Sequence, residues 1–215
     1  GFPFIPISPW SMPGLLHVLF TKVLILSNGV SCQLIIFCFG FLTTISIYAM
    51  TRKYFDTFTG LVSALIYYSL PLTTELSTGA MPEHAANFLL VISIWAILNG
   101  IGDKSSYQPG WLLFAGIIGG CSGATKLWAL LGGPASVILI FYLCYLNSIN
   151  LKNVFTCLIL YSLAYGFVLA PWFIRNFIAS GNPLWPLGYY LFETKFWNEV
   201  GVIKYSNWSR GPNST

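Results

Sequence analysis

The 215-residue chain is too apolar to fold as a soluble domain. Hydrophobic residues make up 56% of it and charged residues only 7%, and its ten bases and six acids leave a net charge of +4. A soluble domain carries about 25% charged residues, so the composition predicts that lipid surrounds much of the chain. The bases are scattered, which excludes a nucleic-acid-binding patch. The five cysteines lie singly in apolar runs and are expected to be buried apolar residues.

The first half of the chain contains one clear membrane span. Residues 1–13 hold four prolines and are expected to end an outer loop. The apolar stretch 14–26 is short for a span and could equally lie at the interface. Residues 30–50 are long enough for the roughly 30 Å hydrocarbon core. Arg52 and Lys53 follow directly, and the positive-inside rule places them on the cytoplasmic side.

The remaining predicted spans cross the membrane in alternating directions. Residues 57–70 lead outward to Pro71, a polar outer loop follows over 73–83, and a span over 85–101 returns inside. An inner loop over 103–109 precedes a span over 111–131. The glycines of this span would let a neighbouring backbone approach closely: Gly116, Gly119, Gly120 and Gly123. Residues 134–146 and 154–174 complete an all-α transmembrane bundle of about six to seven helices.

The simplest division is one membrane domain over 1–178 and an outer-face loop or surface helix over 179–215. The chain begins without a signal-peptide pattern and ends in a polar run. It is therefore expected to be an internal piece of a longer protein.

Five ionisable side chains fall at the predicted outer face: Glu75, Glu83, His84, Lys126 and Arg175. An ionisable group near a membrane segment is costly, so it is a functional candidate by default. Such a pocket could bind an anionic group such as a phosphate, and it could hold a divalent metal ion or a general base.

Each candidate also has a structural explanation. Glu83 could be a helix N-terminal acid favoured by the helix dipole, and Glu75 a solvated loop residue. His84 could be an interfacial residue, Lys126 could snorkel to the interface, and Arg175 could anchor the end of its span.

Familiar catalytic motifs are absent from the sequence. It contains no GxxxxGK[ST], GxGxxG, GxSxG or HExxH pattern. His17 has no partner in the sequence and is expected to be structural.

Several segments, in the right order, resemble GT-C type membrane glycosyltransferases, which include the dolichyl-phosphate-mannose protein mannosyltransferases and the bacterial lipid A aminoarabinose transferases. Residues 52–88 resemble the stretch in which a basic pair precedes a span ending in Pro, and an outer loop leads to an acid that opens the next helix. The run GGCSGATKLWAL (119–130) resembles the family's Gly-rich span ending in Thr-Lys. The run APWFIRNFIASGNPLWPLGYYLF (170–192) resembles the later PW-x-x-RN … GNP segment, and PISPWSMPGLLHVLF resembles the end of the first outer loop.

The resemblance implies an inverting transferase in the plasma or inner membrane, or in the endoplasmic reticulum of a eukaryote. It would pass a sugar from a polyprenyl-phosphate carrier to a glycan, lipid or protein acceptor at the extracytoplasmic face. The family's base is usually an Asp in the first outer loop. No Asp precedes Asp56, so this base is expected upstream of Gly1, and the piece alone would be inactive.

The resemblance also implies roles for the five candidates. Glu83 stands where the family commonly has Asp, which implies a catalytic second acid or a metal-site residue. Lys126 and Arg175 would meet the carrier phosphate, and His84 and Glu75 would complete the substrate site. A divalent metal ion is the one cofactor expected.

Two other classes of function stay open. A multi-pass transporter or flippase of lipid-linked saccharides predicts inverted repeats and Gly/Pro-broken helices near the bilayer midplane, and no such symmetry is visible in the sequence. A catalytically inactive GT-C-like scaffold would be favoured if the upstream Asp were missing.

Overall fold

The fold is that of a computed structural model, which describes residues 14–102, 106–185 and 191–192. Within these residues the chain is helical, with a short 3-10 helix at Leu127–Leu131. The α-helices are α1 (Leu15–Leu26), α2 (Gly29–Tyr54), α3 (Thr57–Ser69), α4 (Pro71–Thr78), α5 (Glu83–Gly100), α6 (Pro109–Thr125), α7 (Gly132–Leu146) and α8 (Leu151–Ser180). The chain divides into a larger unit, Pro13–Leu169, and a smaller unit made of Gly1–Met12 and Ala170–Thr215.

Three helical runs among the described residues are long and apolar enough to cross a membrane: α2, residues 127–146, and α8. The pair α4–α5, bent by 120°, would be a fourth if it forms one broken span. The prediction of an all-α membrane protein is confirmed. The predicted six to seven spans are not, because α1 and α3 have only 12 and 13 residues against the ~20 that a span requires.

Three predicted boundaries are wrong. Pro71 occupies the first turn of α4, where its missing N–H is not needed, so most of the polar loop predicted over 73–83 is helical. The span predicted over 111–131 breaks at Lys126, whose backbone is extended (φ −149°, ψ 141°). The last predicted span runs through Pro171 to Ser180, so the outer segment predicted from residue 179 begins as helix. The remaining predictions for residues 1–13 and for most of 181–215 lie outside the described residues.

Helices α5 and α6 form an antiparallel pair, and hydrogen bonds from buried hydroxyl groups join the two helices. Ser93 Oγ donates to the carbonyl of Ala115, and Ser122 Oγ donates to the carbonyl of Ala86, each at 2.8 Å. Both hydroxyls are buried, so these bonds satisfy groups that would otherwise be costly in an apolar interior. The pair therefore brings the start of α5 beside the end of α6.

The glycine-rich face of α6 is covered by α8. A Cβ at Gly116 would lie 2.5 Å from the carbonyl oxygen of Tyr161, and one at Gly120 would lie 2.8 Å from Cβ of Val168. Only a residue without a side chain allows this approach. The predicted close contact is thus present, and its partner is α8.

Helices α2 and α5 run side by side in the same direction. Gly40 lies against the ring of His84 near the start of α5, since a Cβ there would be 3.3 Å from it. At the other end, Lys53 Nζ donates to Asn99 Oδ1. Residues Arg52, Lys53 and Asn99 define what we call the basic end of the larger unit, where α6 also begins.

Candidate functional site

An ion pair joins the first residue of α5 to the residue that follows α6. Lys126 Nζ lies 2.7 Å from Glu83 Oε1. The contact follows from the antiparallel pairing of the two helices and from the break at Lys126, which ends α6 beside the start of α5. Two of the five candidates are therefore in direct contact.

The two partners differ in exposure. The Glu83 side chain is 19% exposed and that of Lys126 is 38% exposed. Glu83 Oε2 is buried and has no hydrogen-bond partner among the described residues. Buried acceptors are nearly always bonded, so this oxygen is a position that a hydroxyl donor or an ordered water can fill.

His17, expected to be structural, interacts electrostatically with both Lys126 and Glu83. It lies in the first turn of α1, which packs on α2 and contacts α6. The sequence offered no signal for this, because His17 is distant in sequence from both charges. The pair thus has a titratable neighbour that sequence analysis missed.

His84 has no exposed surface in the structure. Its Nε2 lies 3.0 Å from both the carbonyl oxygen of Thr73 and Ser77 Oγ, and its Nδ1 lies 3.3 Å from the Tyr67 hydroxyl. A carbonyl can only accept, so Nε2 carries the proton in the neutral ring and Nδ1 accepts from Tyr67. His84 therefore holds α3 and α4 against α5, and its part in substrate binding stays a prediction.

Glu75 does not join the ion pair. It is exposed on α4, whose buried face is formed by Thr73 and Ser77. Residues two apart on a helix point to different sides. Glu75 is therefore a surface residue of α4, and its part in substrate binding stays a prediction.

Arg175 belongs to the smaller unit. Its guanidinium lies over the Trp172 ring at 4.4 Å, and its Nη2 donates to Asn176 Oδ1 at 2.9 Å. Asn176 is itself buried and donates to the carbonyl of Trp185 at 3.2 Å. The segment that carries the family-like RN … GNP pattern thus holds Arg175 in a defined orientation.

The described residues contain no group of three or more His, Cys, Asp or Glu side chains placed to hold a metal ion. One oxygen of Glu83 is engaged by Lys126. A divalent cation bound here would need ligands beyond those that the described residues bring together, so metal dependence stays a prediction.

The comparisons with known proteins agree with this helical membrane architecture. The model of the dolichyl-phosphate-mannose-protein mannosyltransferase family matches residues 9–174. No curated protein and no solved structure gives a significant match. Because the family match covers most of the chain, including both partners of the ion pair, the chain belongs to the dolichyl-phosphate-mannose-protein mannosyltransferase family of GT-C type membrane glycosyltransferases.

Proposed function

We propose that this chain takes part in transferring a sugar from a polyprenyl-phosphate carrier to an acceptor hydroxyl at the extracytoplasmic face. The observation that supports the proposal is the contact between Glu83 and Lys126, a carboxylate and an ammonium 2.7 Å apart where α5 begins and α6 ends. Transfer from a phosphate carrier needs an acid–base group for the acceptor and positive charge for the leaving phosphate. The pair supplies one of each.

Lys126 is the group that meets the carrier phosphate. Its side chain is the more exposed of the two, and an ammonium can contact a phosphate oxygen while it stays close to Glu83. As the bond between the anomeric carbon and the phosphate oxygen breaks, negative charge grows on that oxygen. Lys126 stabilises this charge.

Glu83 is the acid that acts on the acceptor side. When Lys126 shares its charge with a phosphate, the carboxylate is freer to accept a hydrogen bond from the acceptor hydroxyl. That hydroxyl oxygen attacks the anomeric carbon, its proton passes to a carboxylate, and the phosphate departs with the bonding electrons. Glu83 serves as the second acid beside the Asp that the family resemblance implies.

Arg175 is proposed as a further phosphate-binding cation on the strength of its family-like segment. The contact with the Trp172 ring and the bond to Asn176 limit the conformational freedom of the guanidinium. An ordered guanidinium binds phosphate at a lower entropic cost than a mobile one.

The test is a transfer assay on the full-length protein in membranes. Glu83→Gln and Lys126→Ala should each lower turnover by about 10²-fold or more, the range for losing an acid–base or charge-stabilising group. Arg175→Ala should raise the concentration of carrier needed for half-maximal rate. Glu75→Gln is the matched control, because Glu75 is an exposed acid outside the pair, and it should leave turnover within about twofold. Near-normal turnover in the Glu83 and Lys126 variants would remove the site assignment.

A second candidate function is transport of the lipid-linked saccharide. The observation that favours it is the break between α4 and α5, bent by 120° directly before Glu83, since broken helices are common at transporter binding sites. Vesicles that contain the protein and a fluorescent polyprenyl-phosphate sugar, without acceptor, separate the two. Carrier movement across the bilayer without sugar release would favour transport.

A further inference from the structure

Helix α2 is much longer than the helix beside it. It has 26 residues, or about 39 Å of helix, and its residue Gly40 lies level with His84 at the start of α5. Residues 29–39 therefore continue past the start of α5 by about 16 Å. Helix α1 packs back against this projecting part through Leu16 and Phe20. We call α1 and residues 29–39 the α1–α2 hairpin.

The free surface of the hairpin is largely apolar. Its exposed large side chains are Leu15, Leu19, Leu24, Ile25 and Leu26 from α1, and Val30, Leu34 and Phe37 from α2. His17, Thr21, Lys22 and Gln33 are its exposed polar residues. A surface this apolar would be unstable in water, whereas hydrocarbon and the adjoining head-group interface solvate it. The occupant that fits this face is the lipid bilayer itself.

The length of α2 gives the depth of the ion pair. From Lys53 to Gly40 the helix rises about 20 Å, and from Lys53 to Gln33 it rises about 30 Å, which is the thickness of the hydrocarbon core. With Lys53 at one boundary and α2 along the bilayer normal, Gln33 falls at the other boundary. We propose that the Glu83–Lys126 pair lies inside the membrane, about 10 Å below the boundary opposite the basic end, behind a lipid-facing wall formed by the α1–α2 hairpin.

The break between α4 and α5 limits what can surround the pair at this depth. Residues 79–82 are not helical, and they connect α4 to Glu83 at the level of Gly40. Non-helical backbone and charged side chains are tolerated at membrane depth only where they face protein or water. Both features therefore need a polar recess at this level. The side chain of Lys126 is partly exposed and can extend into this recess.

The recess defines the kind of ligand that can reach the pair. A polar head group must descend about 10 Å to meet Lys126, while an attached chain can stay in the hydrocarbon beside the hairpin. An amphipathic lipid-phosphate satisfies both conditions, and this step rests on the proposed function. The depth itself does not depend on any transfer reaction.

Cys38 is a natural probe of the depth. It is a free, exposed cysteine of the hairpin, two residues before Gly40, whereas Cys32, Cys144 and Cys157 are buried. A nitroxide is attached to Cys38 in the full-length protein with Cys121 replaced by Ser, and the protein is returned to lipid vesicles. Collision rates with oxygen, which partitions into hydrocarbon, are compared with those of a water-soluble nickel chelate.

We expect oxygen to dominate at position 38 and nickel to dominate at Phe55→Cys, the matched control at the exposed basic end of α2. Nickel access at position 38 equal to that at position 55 would overturn the proposal.

A substitution gives a second readout. Phe37→Lys places a charge on the hairpin wall and should lower the membrane-inserted yield roughly tenfold. Phe55→Lys should leave that yield unchanged, and equal yields for the two variants would contradict the depth. Both experiments are independent of turnover, so their outcome is distinct from that of the transfer assay.

Discussion

The imidazole of His84 illustrates how one buried side chain organises the surroundings of a charged site. Its two ring nitrogens contact Tyr67 of α3 and Thr73 and Ser77 of α4, and its ring lies against Gly40 of α2. The next residue toward the N-terminus is Glu83. Packing at His84 therefore fixes the position from which the carboxylate reaches Lys126.

His84→Phe should destabilise the protein because it removes the three polar contacts of a fully buried ring. The Thr73 carbonyl and the Tyr67 hydroxyl would each lose a hydrogen bond, at a cost of about 0.5–1.5 kcal/mol per bond, whereas Ser77 Oγ keeps its bond to the Thr73 carbonyl. His84→Gln, which keeps an N–H donor for the Thr73 carbonyl, should lose less. Thermal unfolding of the purified variants measures the difference. A Phe variant as stable as the native protein would show that the contacts of His84 do not hold α4 in place.

The sequence identified some of these residues and missed others for physical reasons. Glu83 and Lys126 stand out because a charge in an apolar run is expensive, and helix alternation puts them at the same side. The environment of His84 depends on α4 folding back against α5, which the sequence did not show because Pro71 could equally end a helix or begin one. The electrostatic interaction of His17 with the pair depends on packing between helices distant in sequence.

At the scale of elements, the close contact between α6 and α8 depends on the small residues of α6. The spacing of the glycines predicted a close helix neighbour, but a helix face cannot specify which helix will cover it. Gly116 meets backbone and side-chain atoms of α8, whereas Gly166, on α8, has open space around its Cβ position. The two glycines make a matched pair, with the same residue type in contacting helices.

Gly116→Ala should destabilise the protein by about 1–3 kcal/mol, because the new methyl group would overlap the carbonyl of Tyr161 and Cβ of Ala164. Gly166→Ala should be neutral or stabilising by up to about 1 kcal/mol, since Ala favours helix and meets no neighbour. Unfolding midpoints of both variants in the same detergent measure this. Equal shifts would mean that the close approach of α6 and α8 contributes nothing to stability.

At the scale of the whole molecule, the two ends of the larger unit carry different charges and contacts. The basic end holds Arg52 and Lys53, whereas the Glu83–Lys126 pair lies toward the opposite side. The sequence predicted this separation by treating the apolar runs from residue 30 onward as crossings in alternating directions. The basic end and the ion pair are also separated in the structure, although several of the apolar runs are short. The reason is that α5 and α6 pair in antiparallel fashion. The number of spans was not predictable from apolar content alone, since it depends on breaks at Lys126 and between α4 and α5.

The same separation predicts which positions face the outside of the cell. Gly29 begins α2 at the tip of the α1–α2 hairpin and Gly110 lies at the start of α6 near the basic end; both are exposed, with open space for a Cβ. In a variant with Cys38 and Cys121 replaced by Ser, Gly29→Cys should react with a membrane-impermeant maleimide added to intact cells. Gly110→Cys should react only after the membrane is opened, because the positive-inside rule keeps the neighbouring Arg52 and Lys53 in the cytosol. The reverse pattern would place the ion pair on the cytosolic half and would exclude transfer at the extracytoplasmic face.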